Sequence, residues 1–336
     1  MPAAATPLEG RTLGGQFTLT QARAEGPTAT LYEATDAQGT PCVVKVYRSD
    51  LVGSPEALRP FAALLDKVMT LRSDHLTRVL GHGLDPDTRR YFVASERLVG
   101  VDLQQTIRSQ GALDPGAVAR AMVQACQALV VLHGAGVFHQ NLKPSNVFLH
   151  ELPEGRVVIK LGDPGQPFPL EHAEGDDGPA FSMAGEFALS PMYLSPEQVR
   201  GLPASHRSDL WSLALITYEA LSGRKPWQGF HSLGELLLAI ERDEIRPLRE
   251  VAPGVEGGLA DAVHGALHRD PTRRYSSVRD LMVALGPFAA SVRSLQRTSF
   301  GRAQPSIVIR SGHVASGLDK TALADGPPPG GGQHLS

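Results

Sequence analysis

The sequence predicts an α+β protein of two lobes, a small lobe of short strands followed by a larger helical lobe. Short segments rich in β-branched and alternating apolar residues fill roughly the first hundred positions, and turn signals separate them. Beyond that point the apolar residues recur at the spacing of amphipathic helices. Strand-rich and helix-rich parts that follow one another are typical of an α+β architecture, and a functional cleft is expected between the lobes.

The first lobe is predicted to cover residues 13–98. One helix interrupts its strands: it starts near Pro55, and Leu58, Phe61 and Leu65 recur along it at helical spacing. The strands are expected at residues 17–21, 30–34, 41–47, 76–80 and 91–95.

The second lobe is predicted to cover residues 99–292. Its longest helix begins at Asp114, a good N-cap residue that is followed by a proline in the first turn, and it ends at Gly134. Further helices are expected at residues 102–109, 208–221, 232–242, 256–268 and 275–287. Residues 1–12 are predicted to be flexible, and residues 293–336, which are rich in Ser, Gly, Arg and Pro, are predicted to be a disordered tail.

The composition limits the class of protein. The 336 residues include 32 Lys and Arg against 35 Asp and Glu, a formal net charge of -3, which excludes a strongly basic nucleic-acid binder. We find no apolar run of the ~20 residues that cross a bilayer and no secretory signal, so a soluble, cytoplasmic protein without a membrane span is expected. The two cysteines, Cys42 and Cys126, lie within apolar runs, which favours buried thiols in a reducing compartment.

Residues 139–149, with the sequence His-Gln-Asn-Leu-Lys-Pro-Ser-Asn-Val-Phe-Leu, carry the most specific motif in the chain. They resemble the catalytic loop H-R-D-L-K-P-x-N of the eukaryotic-type Ser/Thr protein kinases. Further segments resemble motifs of the same family in the same order, namely residues 42–45, 162–165, 191–197, 208–212 and 269–274. The resemblance covers roughly residues 17–290, looks closest to the bacterial branch, and implies the bilobal protein-kinase fold.

The resemblance also implies a site for ATP and Mg²⁺ in the cleft. At the matching motif positions, Asn146 and Asp163 would bind the metal, and Lys143 would meet phosphate charge. Only six lysines occur in the chain, and two of them, Lys45 and Lys143, lie at the positions where phosphates need them. The implied nucleotide contacts are Gly26, Leu31, Val43, Lys45, Glu96 and Leu98. Structural roles are implied for His139, Glu197, Asp209 and Arg274, with Glu197 and Arg274 as a buried ion pair.

Two departures from the family pattern concern the chemistry itself. Asn141 lies at the position of the catalytic base, and a carboxamide has no useful proton affinity near neutral pH. Leu64 lies where a helix Glu is expected to pair with Lys45. If the register differs by one turn, Asp66 or Glu56 are the nearby acids that could replace that Glu.

Other departures concern the nucleotide and regulation. Residues 24–29 keep one of the three glycines of the family loop and add a proline, which removes an amide donor. Val43 replaces a small residue next to the adenine position. Gln140 replaces the Arg that pairs with an activation-loop phosphate, and Pro164 replaces the Phe of the metal-binding turn. Nucleotide binding is therefore an open question from the sequence.

Two functions follow from the motifs and their departures. The first is a Ser/Thr pseudokinase, a regulatory or scaffold module with impaired or absent phosphotransfer that binds a protein partner such as another kinase or a phospho-reading domain. The alternative is an active, atypical Ser/Thr kinase in which Asn141 only orients the acceptor hydroxyl. A third hypothesis assigns phosphorylation to tail hydroxyls at Thr298, Ser299, Ser306 and Thr321, although an unused linker is the simpler interpretation.

Overall fold

A computed structural model describes residues 8–26, 28–49, 55–165 and 191–300 of the chain. It has a β-rich first lobe and a helical second lobe, so the predicted α+β class is confirmed. The two lobes meet along a cleft whose walls come from both of them.

The first lobe is built on one antiparallel sheet. Its strands are β1 Thr12–Leu13, β2 Phe17–Glu25, β3 Ala29–Thr35, β4 Pro41–Tyr47, β5 Val79–Leu84 and β6 Tyr91–Glu96. They are arranged in the order β1-β2-β3-β4-β6-β5. The strand expected at residues 76–80 begins later, because Leu76 instead forms a bridge to Leu161 in the second lobe.

Strand β4 divides its side chains between two surroundings, as the two-residue period of a strand requires. Cys42 and Val44 pack into a core on one face of the sheet. Val43, Lys45 and Tyr47 lie on the other face and line the cleft. Helix α1, Pro55–Thr70, covers this second face and packs against β5.

The second lobe consists of eight further helices among the described residues. They are α2 Leu103–Gln110, α3 Pro115–Gly134, α4 Pro196–Val199, α5 His206–Ser222, α6 Leu233–Arg242, α7 Leu248–Val251, α8 Gly257–Ala266 and α9 Val278–Ala289. The helix α5 is buried along its whole length except its first two residues, and Trp211 and Ile216 are fully buried. The helix α3 packs against α5 and α9 and forms the other half of this core.

Among the described residues, α3 is long and apolar enough to span a bilayer by length and composition alone. No continuous apolar run reveals this property in the sequence, because polar residues such as Arg120 and Gln124 interrupt the helix. In the fold it is a core helix, with Met122, Cys126 and Leu129 fully buried. Cys42 is also buried, and both thiols are free.

A second sheet lies under the cleft and corrects one predicted boundary. It contains β7 Gly100–Asp102, β8 Val147–Glu151, β9 Arg156–Leu161 and β10 Leu295–Gln296, in the order β10-β9-β8-β7. The prediction that disorder begins at residue 293 is wrong for residues 295–300, because β10 pairs with β9 and buries Leu295 and Phe300. Residues 301–336 lie outside the described residues.

The N-terminal boundary needs a similar correction. Residues 1–12 are predicted to be flexible, but Leu8 is buried against the first sheet and β1 begins at Thr12. The small polar composition of this segment hid one apolar anchor. Residues 1–7 lie outside the described residues.

Candidate active site

The cleft between the lobes has an apolar end and a charged end. Leu31 and Val43 from the first lobe face Leu98 and Phe148 across the apolar end. The charged end contains the side chains of Lys45, Asn146 and Asp163. An apolar pocket that leads to a cation, an amide and a carboxylate is suited to a ligand with an apolar ring and an anionic part.

Lys45 forms an ion pair with Asp163 across the cleft, with Nζ 2.9 Å from Oδ2. Burial by itself lowers the pKa of Lys45, but the attraction of Asp163 outweighs it and raises the pKa above its ordinary value. For Asp163, burial raises the pKa, and Lys45 with Lys143 holds it below its ordinary value. Both groups are therefore charged at neutral pH.

Helix α1 brings no carboxylate to Lys45. Leu64 lies against the turn after Asp163, since a Cβ atom added to Gly165 would be 3.0 Å from Leu64 Cδ1. Asp66 is 73% exposed and pairs with His82 instead, with a 3.1 Å distance between Oδ1 and Nε2.

Glu56, the other acid considered from the sequence, is 66% exposed, and its nearest cation is Arg59. Both acids that a different helix register could have supplied are therefore directed away from the cleft. Leu64 and Phe61 both pack against the turn, while Phe61 and Leu65 are the α1 residues that line the cleft. The assignment of Leu64 to the position of the family Glu stays a prediction.

The loop between α3 and β8 positions Asn141 beside the turn that carries Asp163. The Asn141 side-chain Nδ2 donates a hydrogen bond to the Asp163 carbonyl oxygen at 3.2 Å. A carboxylate could not make this bond, because it has no hydrogen to donate. Asn146 Nδ2 donates in turn to the Asn141 carbonyl oxygen at 2.7 Å, which leaves Asn146 Oδ1 as its atom for a ligand. Asp163 itself is held in the left-handed region, with φ 55°.

Lys143 belongs to this loop, but it is buried and does not line the cleft. Burial, together with the neighbouring charge of Lys45, lowers the pKa of Lys143 to about 8. A buried ammonium in this state is poised to gain from an anionic ligand, since a negative charge would offset its desolvation.

The structure does not place Gly26 among the residues that line the cleft. Its backbone N–H donates to the Ala29 carbonyl oxygen at 2.9 Å and closes the hairpin between β2 and β3. The amide that the sequence assigned to the phosphates is used in this turn. Pro27 lies outside the described residues.

The segment that joins the lobes contains Glu96 and Leu98. Leu98 lines the apolar end of the cleft with its side chain. Glu96 Oε1 accepts hydrogen bonds from Lys160 Nζ at 2.8 Å and from the Arg78 amide at 2.9 Å. Glu96 thus links the two lobes through its side chain, a role that sequence reasoning missed because Lys160 lies outside the recognised motifs.

His139 and Asp209 support the catalytic loop from below. Asp209 accepts hydrogen bonds from the amides of His139 at 2.8 Å and Gln140 at 2.9 Å, and from His133 Nε2 at 2.8 Å. His139 is fully buried, and this burial lowers its pKa, so it is neutral. These contacts are structural and do not face the cleft.

Glu197 and Arg274 form a bidentate ion pair between the start of α4 and the segment before α9. The two oxygen–nitrogen distances are 2.7 and 2.8 Å. The Arg274 side chain is fully buried and also lies over the Trp211 ring, with Cζ 4.9 Å from the ring centroid. Ser208 donates a further hydrogen bond to Glu197 at 2.7 Å.

This bilobal arrangement, with a cleft and a loop built around Asn141 and Asp163, defines the protein kinase fold. Residues 24–284 match the protein kinase domain family, and the chain belongs to that family. A kinase domain of Mycobacterium tuberculosis PknI has a similar structure, with TM-score 0.65 and 20% identity over 85% of this chain and 100% of that one. Rad53 in complex with AMP-PNP matches with TM-score 0.63 and 22% identity over 82% of this chain and 65% of that one.

The sequence relatives are bacterial serine/threonine-protein kinases. The chain is 28% identical to pkn3 of Myxococcus xanthus over 80% of this chain and 49% of that protein. It is 28% identical to PknA of Mycobacterium tuberculosis over 98% of this chain and 75% of that protein. The probable kinase CPE1738 of Clostridium perfringens is 26% identical over 81% of this chain and 38% of that protein. The chain thus spans less than half of two of these relatives, and the predicted bacterial branch is confirmed.

The residues of the cleft fit a nucleotide and a divalent cation as ligands. The apolar pocket is suited to a base, and the Asp163 carboxylate with Asn146 Oδ1 gives the few oxygen donors with which Mg²⁺ is usually held beside phosphates. Among the described residues there is no cluster of three or more His, Cys, Asp or Glu side chains that could hold a metal without such a ligand. These cleft residues include no carboxylate at the position of the catalytic base, where the chain has Asn141.

Proposed function

We propose that the chain is a cytoplasmic pseudokinase, a Ser/Thr-kinase-like domain that binds ATP in its cleft and regulates a protein partner with little or no phosphotransfer. The intact scaffold of the second lobe supports a folded binding module. The altered cleft supports the loss of chemistry. The partner would be another kinase or a phospho-reading domain, since proteins of these two classes phosphorylate Ser and Thr or bind the phosphorylated residues.

The observation that carries this proposal is the hydrogen bond from Asn141 Nδ2 to the Asp163 carbonyl oxygen. In protein kinases an Asp at this position accepts the proton of the substrate hydroxyl. Asn141 presents a donor to the turn and has no basic atom for that proton. General-base loss lowers rates by about 10²- to 10⁴-fold, so transfer would be slow even with every other part in place.

The remaining residues would bind and orient the nucleotide. Leu31 and Val43 would pack against the base, Lys45 would meet phosphate charge, and the buried Lys143 would add positive charge without lining the cleft. Asn146 and Asp163 would hold the metal ion, which when bound neutralises phosphate charge. The chain would therefore keep a ligand in place without the proton acceptor.

A direct test is phosphotransfer from ATP to a generic Ser/Thr substrate by the wild-type chain and by Asn141→Asp. We expect no transfer above background for the wild type and an increase of about 10²- to 10⁴-fold for the variant. Asn141→Ala is the matched control, because it removes the amide without adding a base. Magnesium-dependent transfer by the wild type that Asp163→Ala abolishes would overturn the proposal.

The alternative function, an active atypical kinase, is favoured by one observation. Lys45, Asn146 and Asp163 are all present at the charged end of the cleft. Phosphoryl transfer depends mainly on positioning and electrostatics, so a chain with these groups could retain a low rate. The same assay separates the two functions.

Nucleotide binding is a separate step and needs its own measurement. We expect ATP to raise the melting temperature, and to raise it further with Mg²⁺, because a ligand that binds the folded state stabilises it by mass action. Val43→Ala, which widens the apolar pocket, is expected to increase the shift. If no nucleotide raises the melting temperature, the chain is a scaffold without a nucleotide ligand.

The phosphorylated-tail hypothesis is narrowed by the structure. Ser299 and Thr298 lie in a 3₁₀ turn, Arg297–Phe300, where Ser299 is half-buried and Thr298 is exposed. The Ser299 hydroxyl accepts a hydrogen bond from the Gln296 amide at 3.1 Å, so it is less accessible than the tail composition implied. Ser306 and Thr321 lie outside the described residues.

A further inference from the structure

Lys45 has an aromatic neighbour on its own strand. Lys45 and Tyr47 are two residues apart on β4, so their side chains leave the same face of the strand. Lys45 Nζ lies over the Tyr47 ring, 5.3 Å from its centroid. This distance is within the range in which the face of an aromatic ring attracts a cation.

The surroundings make this contact stronger than one at a surface. Tyr47 is 6% exposed, and the Lys45 side chain is 16% exposed. Cation–π attraction increases when both partners are removed from water. Burial also raises the pKa of Tyr47 to about 12, so the phenol stays neutral and its ring remains a partner for the ammonium at physiological pH.

Helix α1 holds the Tyr47 ring in place by packing. Phe61, which projects from α1, meets the Tyr47 ring edge to face at 6.2 Å with an angle of 90° between the ring planes. Tyr91 from β6 packs against both rings, at 6.5 Å from Tyr47 and 5.7 Å from Phe61. The three rings form a cluster, here called the aromatic cluster, that connects the helix to Lys45 without any charge on the helix.

From this arrangement we propose that Tyr47 replaces the missing helix carboxylate as the positioning residue of Lys45. The inference rests on the proposed nucleotide site and says how that site keeps its lysine in place. A carboxylate partner would hold Lys45 by a hydrogen bond and would cancel part of its charge. Tyr47 holds it by the face of its ring and by its hydroxyl, and because the phenol is neutral the full charge of Lys45 is left to act on Asp163 and on a phosphate.

The contact itself can be tested without any nucleotide. In protein labelled with ¹³C at lysine Cε and ¹⁵N at Nζ, the six lysines give six signals, and Lys45→Arg assigns one of them to Lys45. We expect the Lys45 Hε signals to be shifted upfield by the ring current of Tyr47. Tyr47→Phe is expected to keep this shift, and Tyr47→Leu to remove it. Tyr91→Leu, which removes another ring of the aromatic cluster, is the matched control and is expected to keep it.

The effect on the site is tested by the affinity for ADP, measured by titration calorimetry. We expect Tyr47→Leu to weaken binding about 3- to 30-fold, and Tyr47→Phe, which keeps the ring but loses the hydroxyl contact with Lys45, to weaken it less than Tyr47→Leu does. In a Lys45→Met background, Tyr47→Leu is expected to change the affinity less than twofold, because a residue that acts through Lys45 has nothing left to position.

The outcomes separate this inference from the proposed function. An unshifted Lys45 signal in the wild type, or an equal loss of affinity from Tyr47→Leu with and without Lys45, overturns the role of Tyr47. Absence of ADP binding in every variant, together with a ring-current shift that only Tyr47→Leu removes, overturns the nucleotide site and supports the contact.

Discussion

Two charged regions of the molecule differ in how many of their hydrogen bonds the protein itself makes. One is the Glu197–Arg274 ion pair of the second lobe, here called the anchor, and the other is the charged end of the cleft. In the anchor, Glu197 and Arg274 meet in a bidentate pair, and Arg274 also donates to three backbone carbonyl oxygens. At the charged end, Lys45 and Asp163 share one hydrogen bond. The Lys143 ammonium makes no hydrogen bond to the residues that the structure describes, although the Lys143 carbonyl oxygen accepts one from the Asn146 amide.

The two regions serve different purposes. A buried ion pair whose hydrogen bonds are all made by the protein stabilises one conformation and has no capacity for a ligand. A cation that is buried with few partners costs stability, and such a cost is typical of a site that awaits an anion. The chain has kept the anchor and the cations of the cleft, while the base position has become an amide.

The largest expected effect is the loss of one partner of the anchor. Glu197→Gln leaves the buried Arg274 guanidinium without its counter-charge, so we expect the free energy of unfolding to fall by about 3 to 5 kcal/mol. Urea unfolding of the wild type and the variant at pH 7 measures this difference in the free energy of unfolding. The double variant Glu197→Leu with Arg274→Met removes both charges and is expected to recover most of the loss. A loss below about 1 kcal/mol for Glu197→Gln would mean that the pair is not the anchor of this lobe.

A change of opposite sign is expected in the cleft. Lys143→Met removes a buried ammonium whose pKa is lowered to about 8 by burial and by Lys45. Below pH 8 the folded chain must keep this unfavourable charge, so the variant is expected to be more stable at pH 7 by on the order of 2 to 3 kcal/mol.

The gain in stability from Lys143→Met is expected to depend on pH. Between about pH 8 and the ordinary lysine pKa near 10.4, the unfolded wild type holds more protons than the folded one, so wild-type stability rises with pH. The advantage of the variant is therefore expected to disappear toward pH 10.4. Lys160→Met is the matched control, because Lys160 already has Glu96 as a partner at 2.8 Å and its removal should not stabilise the fold. An equal gain at pH 7 and near pH 10.4 would contradict the charge explanation.

The anchor could be anticipated from the sequence, while much of the cleft could not. Glu197 and Arg274 are far apart in the chain, but each belongs to a motif whose order identifies the family. The side of α1 on which Leu64 lies could be counted back from the end of the helix, since a helix has a fixed residue period. These features depend on motif order or on local geometry, which a single sequence contains.

The features that were missed depend on contacts between elements or on short segments. The Glu96–Lys160 pair joins two strands from different sheets, and no local pattern indicates it. Tyr47 had a usable signal, since it is two residues after Lys45 on a strand, but its role depends on Phe61 reaching it from α1. The strand β10 is two residues long, so the composition of the tail concealed it.

The smallest expected effect concerns the carboxylate that α1 lacks. If Tyr47 already positions Lys45, restoring an acid by Leu64→Glu should gain little, and we expect the affinity for ADP to change less than threefold. The new carboxylate would lie next to the Asp163 turn, because Leu64 packs against Gly165, and it would compete with Asp163 for Lys45.

We also expect Leu64→Glu to lower the free energy of unfolding by about 1 kcal/mol, since a half-buried Leu side chain is removed from its packing. Leu64→Gln is the matched control, because it has the same shape as Glu without the charge, and the two variants should have nearly equal melting temperatures. A tenfold gain in ADP affinity that only Leu64→Glu produces would show that the absent carboxylate limits nucleotide affinity. Tyr47 would then not be a replacement for that carboxylate as the partner of Lys45.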